Sequence, residues 1–218
     1  MKRFSQNTHL QLYNERTYRG LPVNLNHGPL IEEYLDALHD VVEAALRANR
    51  RVFAFRVDLH LPADCCDEHG LYDNNIVRRF IESLKAQIKH NRMLAKRERP
   101  TAAGTAVRYM WVREQRNSEH PHWHLVILLN FDAFRSIGQF RLGNDNMYSR
   151  VVKAWASALQ LPVTEAEGLV HFPDKPAYEL YRDDEASLQP FFHRASYLCK
   201  AETKRYGDRQ RGFAYSRS

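Results

Sequence analysis

With 218 residues the chain can bury one substantial core and is short for two, because about 150 residues per domain is the usual soft guide. The composition is that of a globular protein with a formal charge of +6, and no apolar run approaches the roughly 20 residues that a membrane span requires. Residues 1–8 carry two basic side chains with no apolar segment behind them, which argues against a secretory signal and for the cytoplasm, with no membrane partner. Of the three cysteines, Cys65 and Cys66 are adjacent and Cys199 stands alone, a pattern that suits reduced thiols rather than a disulfide framework.

The positive charge is concentrated. Residues 85–99 hold six Lys or Arg against Glu98, and residues 194–218 hold seven against Glu202 and Asp208. Each segment is therefore net +5, and the rest of the chain is acidic. Such clusters reward contact with a phosphate backbone through counterion release, whereas the plainer alternative is a pair of solvated helix faces. Lys85, Lys89, Arg92 and Lys96 in the first cluster, and Lys204, Arg205, Arg209 and Arg211 in the second, are the candidate nucleic-acid contacts.

In chain order, residues 1–29 are polar, punctuated by Gly20, Pro22, Gly28 and Pro29, and show no strong period, so they are expected as an N-terminal arm of uncertain order ahead of one domain over residues 30–218. Ile31, Tyr34, Leu35, Leu38, Val41, Val42, Ala45 and Leu46 follow helical spacing. Residues 52–61 then alternate, with Phe53, Phe55, Val57, Leu59 and Leu61 on one face of a strand and Arg56, Asp58 and His60 on the other, until Pro62 ends it. Asp73, Asn74 and Asn75 are plausible caps for a long helix from Ile76 to about Lys96, whose polar face is the first basic cluster. Residues 106–114 are rich in β-branched and aromatic side chains and predict a second strand, joined by a turn near Ser118 to the sequence H-P-H-W-H-L-V-I-L-L-N. A helix over residues 144–159, one or two short strands within 168–172 and 178–181, and a last helix beginning near Pro190 complete the order.

The hairpin carries the chemistry. On a strand, His122 and His124 project to one face, and a turn centred near Ser118 sets Glu114 opposite His122, so two imidazoles and a carboxylate can close on one divalent metal. His120 competes for a ligand role but sits nearer the turn beside Pro121 and ranks second; a structural zinc site would call for four ligands, commonly with Cys. In the last helix, Phe191, Phe192, Ala195, Leu198 and Cys199 form the apolar stripe, and continued helical spacing places His193, Tyr197, Lys200 and Lys204 together on the opposite side. Beyond Lys204 the chain is basic and aromatic, a composition suited to single-stranded nucleic acid.

His122-Trp123-His124 on a central strand, followed by Tyr197-Leu198-Cys199-Lys200, resembles the HUH endonucleases of the rolling-circle replication initiator kind, which carry H-U-H and then Y-x-x-K. More narrowly, R-Y-M-W-V-R-E-Q from Arg108, H-W-H-L-V-I-L-L-N to Asn130 and Y-L-C-K-A-E-T-K from Tyr197 resemble the inovirus-type replication proteins grouped with the YagK/YfjJ C-terminal domain, over roughly residues 30–218. The resemblance implies an α+β fold, a central antiparallel sheet with flanking helices of the HUH/Rep-like (ferredoxin-like or RRM-like) kind. It implies a Mg²⁺ or Mn²⁺ ion on Glu114, His122 and His124, and a single-stranded DNA or origin-hairpin substrate. Tyr197 would be the nucleophile that leaves a 5′-phosphotyrosine link and a free 3′-hydroxyl, with Lys200 stabilising the phenolate or the phosphate charge. No helicase segment follows the domain, so unwinding and synthesis would fall to a host helicase and polymerase. Two other readings stay open: a DNA-binding regulator of a phage or prophage origin that keeps the fold without efficient cleavage, and a metal-dependent phosphoesterase that uses water. Asp58 is either structural or a neighbour of the DNA or metal.

Overall fold

Residues 2–63, 73–115, 120–202, 204 and 210–217 are described in a computed structural model of the protein. The N-terminal segment, expected as an arm, is instead part of the fold. Strands β1 (Lys2–Phe4), β2 (Asn7–Tyr13) and β5 (Leu30–Ile31) make a three-stranded antiparallel sheet, and β3 (Thr17–Tyr18) pairs with β4 (Leu21–Pro22). Phe4, Leu10, Tyr18, Leu21 and Val23 are buried in the same core as helix α1 (Glu32–Ala48). Four of these strands hold only two or three residues and the seven-residue β2 buries only Leu10, so no apolar period marks the segment.

The main sheet is antiparallel throughout. It contains β6 (Arg51–Leu59), β7 (Arg108–Glu114), β8 (His122–Asn130), β9 (Val170–His171), β10 (Ala177–Tyr181) and β11 (Phe213–Tyr215), in the order β10-β6-β8-β7-β11, with β9 also paired to β6. With α1, α2 (Asn75–Glu98), α3 (Met147–Leu159), the single turn α4 (Val163–Ala166) and α5 (Glu185–Ala195), the architecture is α+β, a central antiparallel sheet with flanking helices. No helix among the described residues is long and apolar enough to cross a membrane.

Alternation along the strands divides the core into two layers. Phe53, Phe55, Val57 and Leu59 of β6 and Trp123, Leu125, Ile127 and Leu129 of β8 face α2 and α3. There Trp123 and Trp155 are fully buried with ring centroids 5.9 Å apart, and Trp155 Nε1 donates to the His60 carbonyl at 2.9 Å. Val52, Ala54, Val126, Leu128, Met110 and Val112 occupy the other face, against α1 and α5. On this second face the apolar side chains stop part-way, and Arg56, Asp58, His122, His124 and Glu114 take their place.

The last helix departs from its expected course. It begins at Glu185, capped by Asp184, whose side chain accepts from Ala186 N–H, and Pro190 lies inside it rather than in the first turn. It ends at Ala195 and tightens into a 3₁₀ turn, Ser196–Cys199, after which Lys200 is extended. His193, Tyr197, Lys200 and Lys204 therefore do not form one helical stripe. The Ala201 N–H donates to the Pro29 carbonyl, tying this end to the N-terminal segment. The basic, aromatic tail is also partly structural: Phe213–Tyr215 is the edge strand β11, and the Phe213 ring lies 4.0 Å from that of Tyr34.

Candidate active site

The pairing of β7 with β8 sets Glu114 opposite His122 and Val112 opposite His124, as the hairpin reading requires; the turn, residues 116–119, lies outside the described residues. Ligand atoms of Glu114, His122 and His124 all fall within 4.8 Å of one another. His120 is outside this group, with its Nε2 3.0 Å from the Ala63 carbonyl oxygen. Strand β6 adds what a hairpin alone cannot supply. Asp58 is opposite His124, and the His124 Nδ1–H donates to Asp58 Oδ1 at 2.7 Å. Arg56 clamps the same carboxylate through Nε and Nη2, each at 3.1 Å.

His124 thus spans two carboxylates. With Nδ1 donating to Asp58, its Nε2 points at Glu114 Oε2 from 3.3 Å, and two acceptors facing one another need a proton or a metal ion between them. Two ligands at about 2.1 Å from an octahedral ion stand about 3 Å apart, so this spacing and the N,N,O donor set fit a divalent cation. The carboxylate partner on the far ring nitrogen is the arrangement that orients ligating histidines. His122 stacks on His60 at 5.4 Å and meets His124 edge-on at 5.0 Å; burial, followed by the His124 charge, pushes it down to about 4, so at neutral pH it is an uncharged imidazole.

Two lysines close the site from the other side. Lys200 Nζ is 3.1 Å from Glu114 Oε2, and Lys204 Nζ donates to Glu114 Oε1 at 2.6 Å. Burial alone would raise the Glu114 carboxyl, but the His124 hydrogen bond and the Lys204 and Lys200 charges outweigh it and hold the group well below the carboxylate range. Asp58 is held low in the same way, with burial opposed by His124 and Arg56. Lys204 is displaced downward by its own burial, which Glu114 only partly offsets. Three fixed cations, Arg56, Lys200 and Lys204, thus surround two carboxylates, and the surplus positive charge suits an anion.

Tyr197 arrives by way of the 3₁₀ turn. Its half-buried ring lies 3.5 Å from Lys200 Nζ and 5.2 Å from the Arg56 guanidinium carbon, with His27 edge-on at 5.2 Å. A continued α-helix that packed its apolar stripe on the sheet would have turned this residue away; the tighter turn brings it back over the polar end.

The structure therefore brings Glu114, His122, His124, Tyr197 and Lys200 together and moves Lys204 from the expected nucleic-acid surface into the buried site. Arg205 and Arg209, like Cys65, Cys66 and Tyr206, lie outside the described residues. Arg211 is exposed, and its carbonyl accepts from Asn74 Nδ2 at 2.8 Å. Lys85, Lys89 and Lys96 are exposed on α2, across the sheet from Tyr197, whereas Arg92 is half-buried with its guanidinium on Asn91 Oδ1. Arg56 is a site residue that the sequence does not single out. Alternation had placed it beside Asp58, but only the long-range pairing of β6 with β8 shows that this face meets the histidines.

The model of the YagK/YfjJ C-terminal domain matches residues 13–216. The chain belongs to this family. The match begins within β2, so it takes in part of the N-terminal segment as well as the main sheet. Two Escherichia coli (strain K12) proteins are similar along nearly their whole length. The uncharacterized protein YfjJ is 30% identical over 87% of this chain and 96% of its own, and the uncharacterized protein YagK is 31% identical over 92% and 98%. No solved structure matches the chain.

Proposed function

We propose that this YagK/YfjJ-family chain is a metal-dependent HUH-type endonuclease that nicks and rejoins single-stranded origin DNA through Tyr197, in the manner of a rolling-circle replication initiator. The observation that carries the reading is the connection between the tyrosine and the histidine hairpin. Lys200 touches the Tyr197 ring at 3.5 Å and the Glu114 carboxylate at 3.1 Å, so one side chain joins a nucleophile to the Glu-His-His cluster. Surface regulators have no need to bury two lysines and two carboxylates around such a cluster, because charges without a task cost desolvation.

In this reading Glu114, His122 and His124 hold Mg²⁺ or Mn²⁺, which when bound supplies Lewis-acid polarisation of a non-bridging phosphate oxygen. The side chains do the rest. Asp58 fixes the ring of His124, and Arg56 fixes Asp58. The surplus positive charge draws in the scissile phosphodiester. Lys200, already against the Tyr197 ring, sets a positive charge beside the site where the Oη–phosphorus bond forms, and the tyrosine proton passes to solvent. The bond from phosphorus to the 3′ oxygen breaks, and that oxygen takes up a proton to leave a 3′-hydroxyl. The phosphotyrosine retains the energy of the broken bond, so the 3′-hydroxyl can reverse the step.

The test is to incubate the protein with labelled, hairpin-bearing single-stranded DNA and Mn²⁺ and to resolve the products on a denaturing gel. A covalent adduct is expected with the wild type and none with Tyr197→Phe, which loses only a hydroxyl and should bind DNA nearly as well. Cleavage without an adduct would transfer the chemistry to water, and tight binding without cleavage would favour the origin-binding regulator.

A further inference from the structure

Helix α2 continues well beyond the part that the sheet needs. Its buried face, Ile76, Val77, Phe80, Ile81, Leu84 and Ile88, ends at Ile88, yet the helix runs on to Glu98. From Lys85 onward its basic face forms one wall of a groove of about 710 Å³, and Gly104 and Thr105 form the other. That second wall is pinned in place. Asn130 N–H donates to Thr105 Oγ1 and Asn130 Nδ2 to the Gly104 carbonyl, both at 2.8 Å, and Arg92 reaches across to the Ala103 carbonyl at 3.4 Å.

The lining has two chemical parts. Lys85, Lys89, Lys96 and Arg97 are exposed cations on the rim, and no described lining side chain is acidic. Lys85 to Lys96 span about 16 Å of helix at 1.5 Å per residue. At the bottom of the groove Ile88 and Val107 are core residues, and the apolar side chain it presents to solvent is Met93, 43% exposed and one of four exposed large apolar side chains among the described residues. A double helix would offer this groove only its phosphates and gain nothing from Met93. A single strand offers both phosphates for the rim and an unpaired base for the exposed Met93 side chain.

We infer that this groove is a second binding site for single-stranded nucleic acid, on the sheet face opposite Tyr197. The two sites are separated by the sheet, since α2 packs on the Trp123 face and Tyr197 stands over the His124 face. The groove holds a stretch of strand away from the scissile phosphate. It lengthens the contact without adding to the chemistry. Because a single strand is also the substrate proposed for Tyr197, the inference rests in part on that reading.

The experiment is equilibrium fluorescence anisotropy in EDTA, with a labelled oligothymidine and a hairpin duplex of equal phosphate count. Lys85→Glu with Lys89→Glu and Lys96→Glu is expected to weaken oligothymidine binding at least about tenfold and to shrink the log–log salt slope by about 2, some 0.7 per lost single-strand contact. The same positions changed to Arg should keep both, and Met93→Ser should weaken binding while leaving the salt slope alone. Unchanged affinity in the triple Glu variant overturns the site, and stronger wild-type binding of the duplex overturns the single-strand occupant. Anisotropy reads binding alone. Groove binding without any covalent adduct would overturn the nicking reading and leave this one standing, and an adduct with no effect of the groove variants would do the reverse.

Discussion

The two faces of β8 are built to different rules. Trp123, Leu125, Ile127 and Leu129 form an unbroken apolar row against α2 and α3, whereas the alternate residues run His122, His124, Val126 and Leu128. The first row gains stability along its whole length. The second gains it only at the Leu128 end, because at the other end buried charges must be paired merely to offset their loss of water.

The sharpest test of that contrast is Trp123→Ala on the apolar face. The ring is fully buried, so unfolding free energy should fall by about 4–5 kcal/mol in urea titration, the upper part of the range for aromatic-to-alanine changes. A loss below about 2 kcal/mol would mean that this face is loosely packed. On the polar face, His122→Ala with His124→Ala should do the opposite. Adduct formation should drop at least about a thousandfold, some 4 kcal/mol in the barrier, and stability should fall by less than it does for Trp123→Ala, since Asp58 keeps Arg56 and Glu114 keeps Lys200 and Lys204. Retained activity would remove the metal assignment.

Lys204→Ala strands one oxygen of the buried Glu114, and a destabilisation of about 3 kcal/mol is expected, since Lys200 still holds the carboxylate. Glu114→Gln with Lys204→Met should recover most of it while abolishing the adduct. If the double variant is less stable than Lys204→Ala, the ion pair is a net stabiliser and the polar face adds stability as the apolar face does.

The mildest effect is on acid stability of the metal-free protein. His122 is held down at about 4, so between its ordinary value near 6.5 and pH 4 the unfolded chain binds a proton that the native chain does not, and stability falls as pH falls. Glu114 and Asp58, whose folded values are depressed, contribute stability that is present above the ordinary carboxylate range and is lost on further acidification. Denaturation in EDTA should show a shallow decline from about pH 6.5 and a steeper one below about pH 4. His122→Asn should flatten the first part; an unaltered slope would assign it to other histidines.

Much of this was open to reading because the relevant patterns are local. The period of β6, the helix of α1 and the opposition of Glu114 to His122 each depend on residues close in the chain, so alternation and one turn suffice. Lys204 illustrates the converse. It lies in a basic stretch that looks solvated, and only its burial against Glu114, 90 residues earlier, reveals an ion pair.

The sequence by itself determined the two-faced strands, the order of the elements from α1 to the last helix and the histidine hairpin with its facing carboxylate, because side-chain periodicity follows directly from backbone geometry. Tertiary structure decided three things that no period encodes. The N-terminal segment became core, β6 delivered Asp58 and Arg56 to His124, and the α5 helix gave way to a 3₁₀ turn that sets Tyr197 over Lys200. Each depends on contacts between distant parts of the chain, whose energies exist only once the sheet has formed.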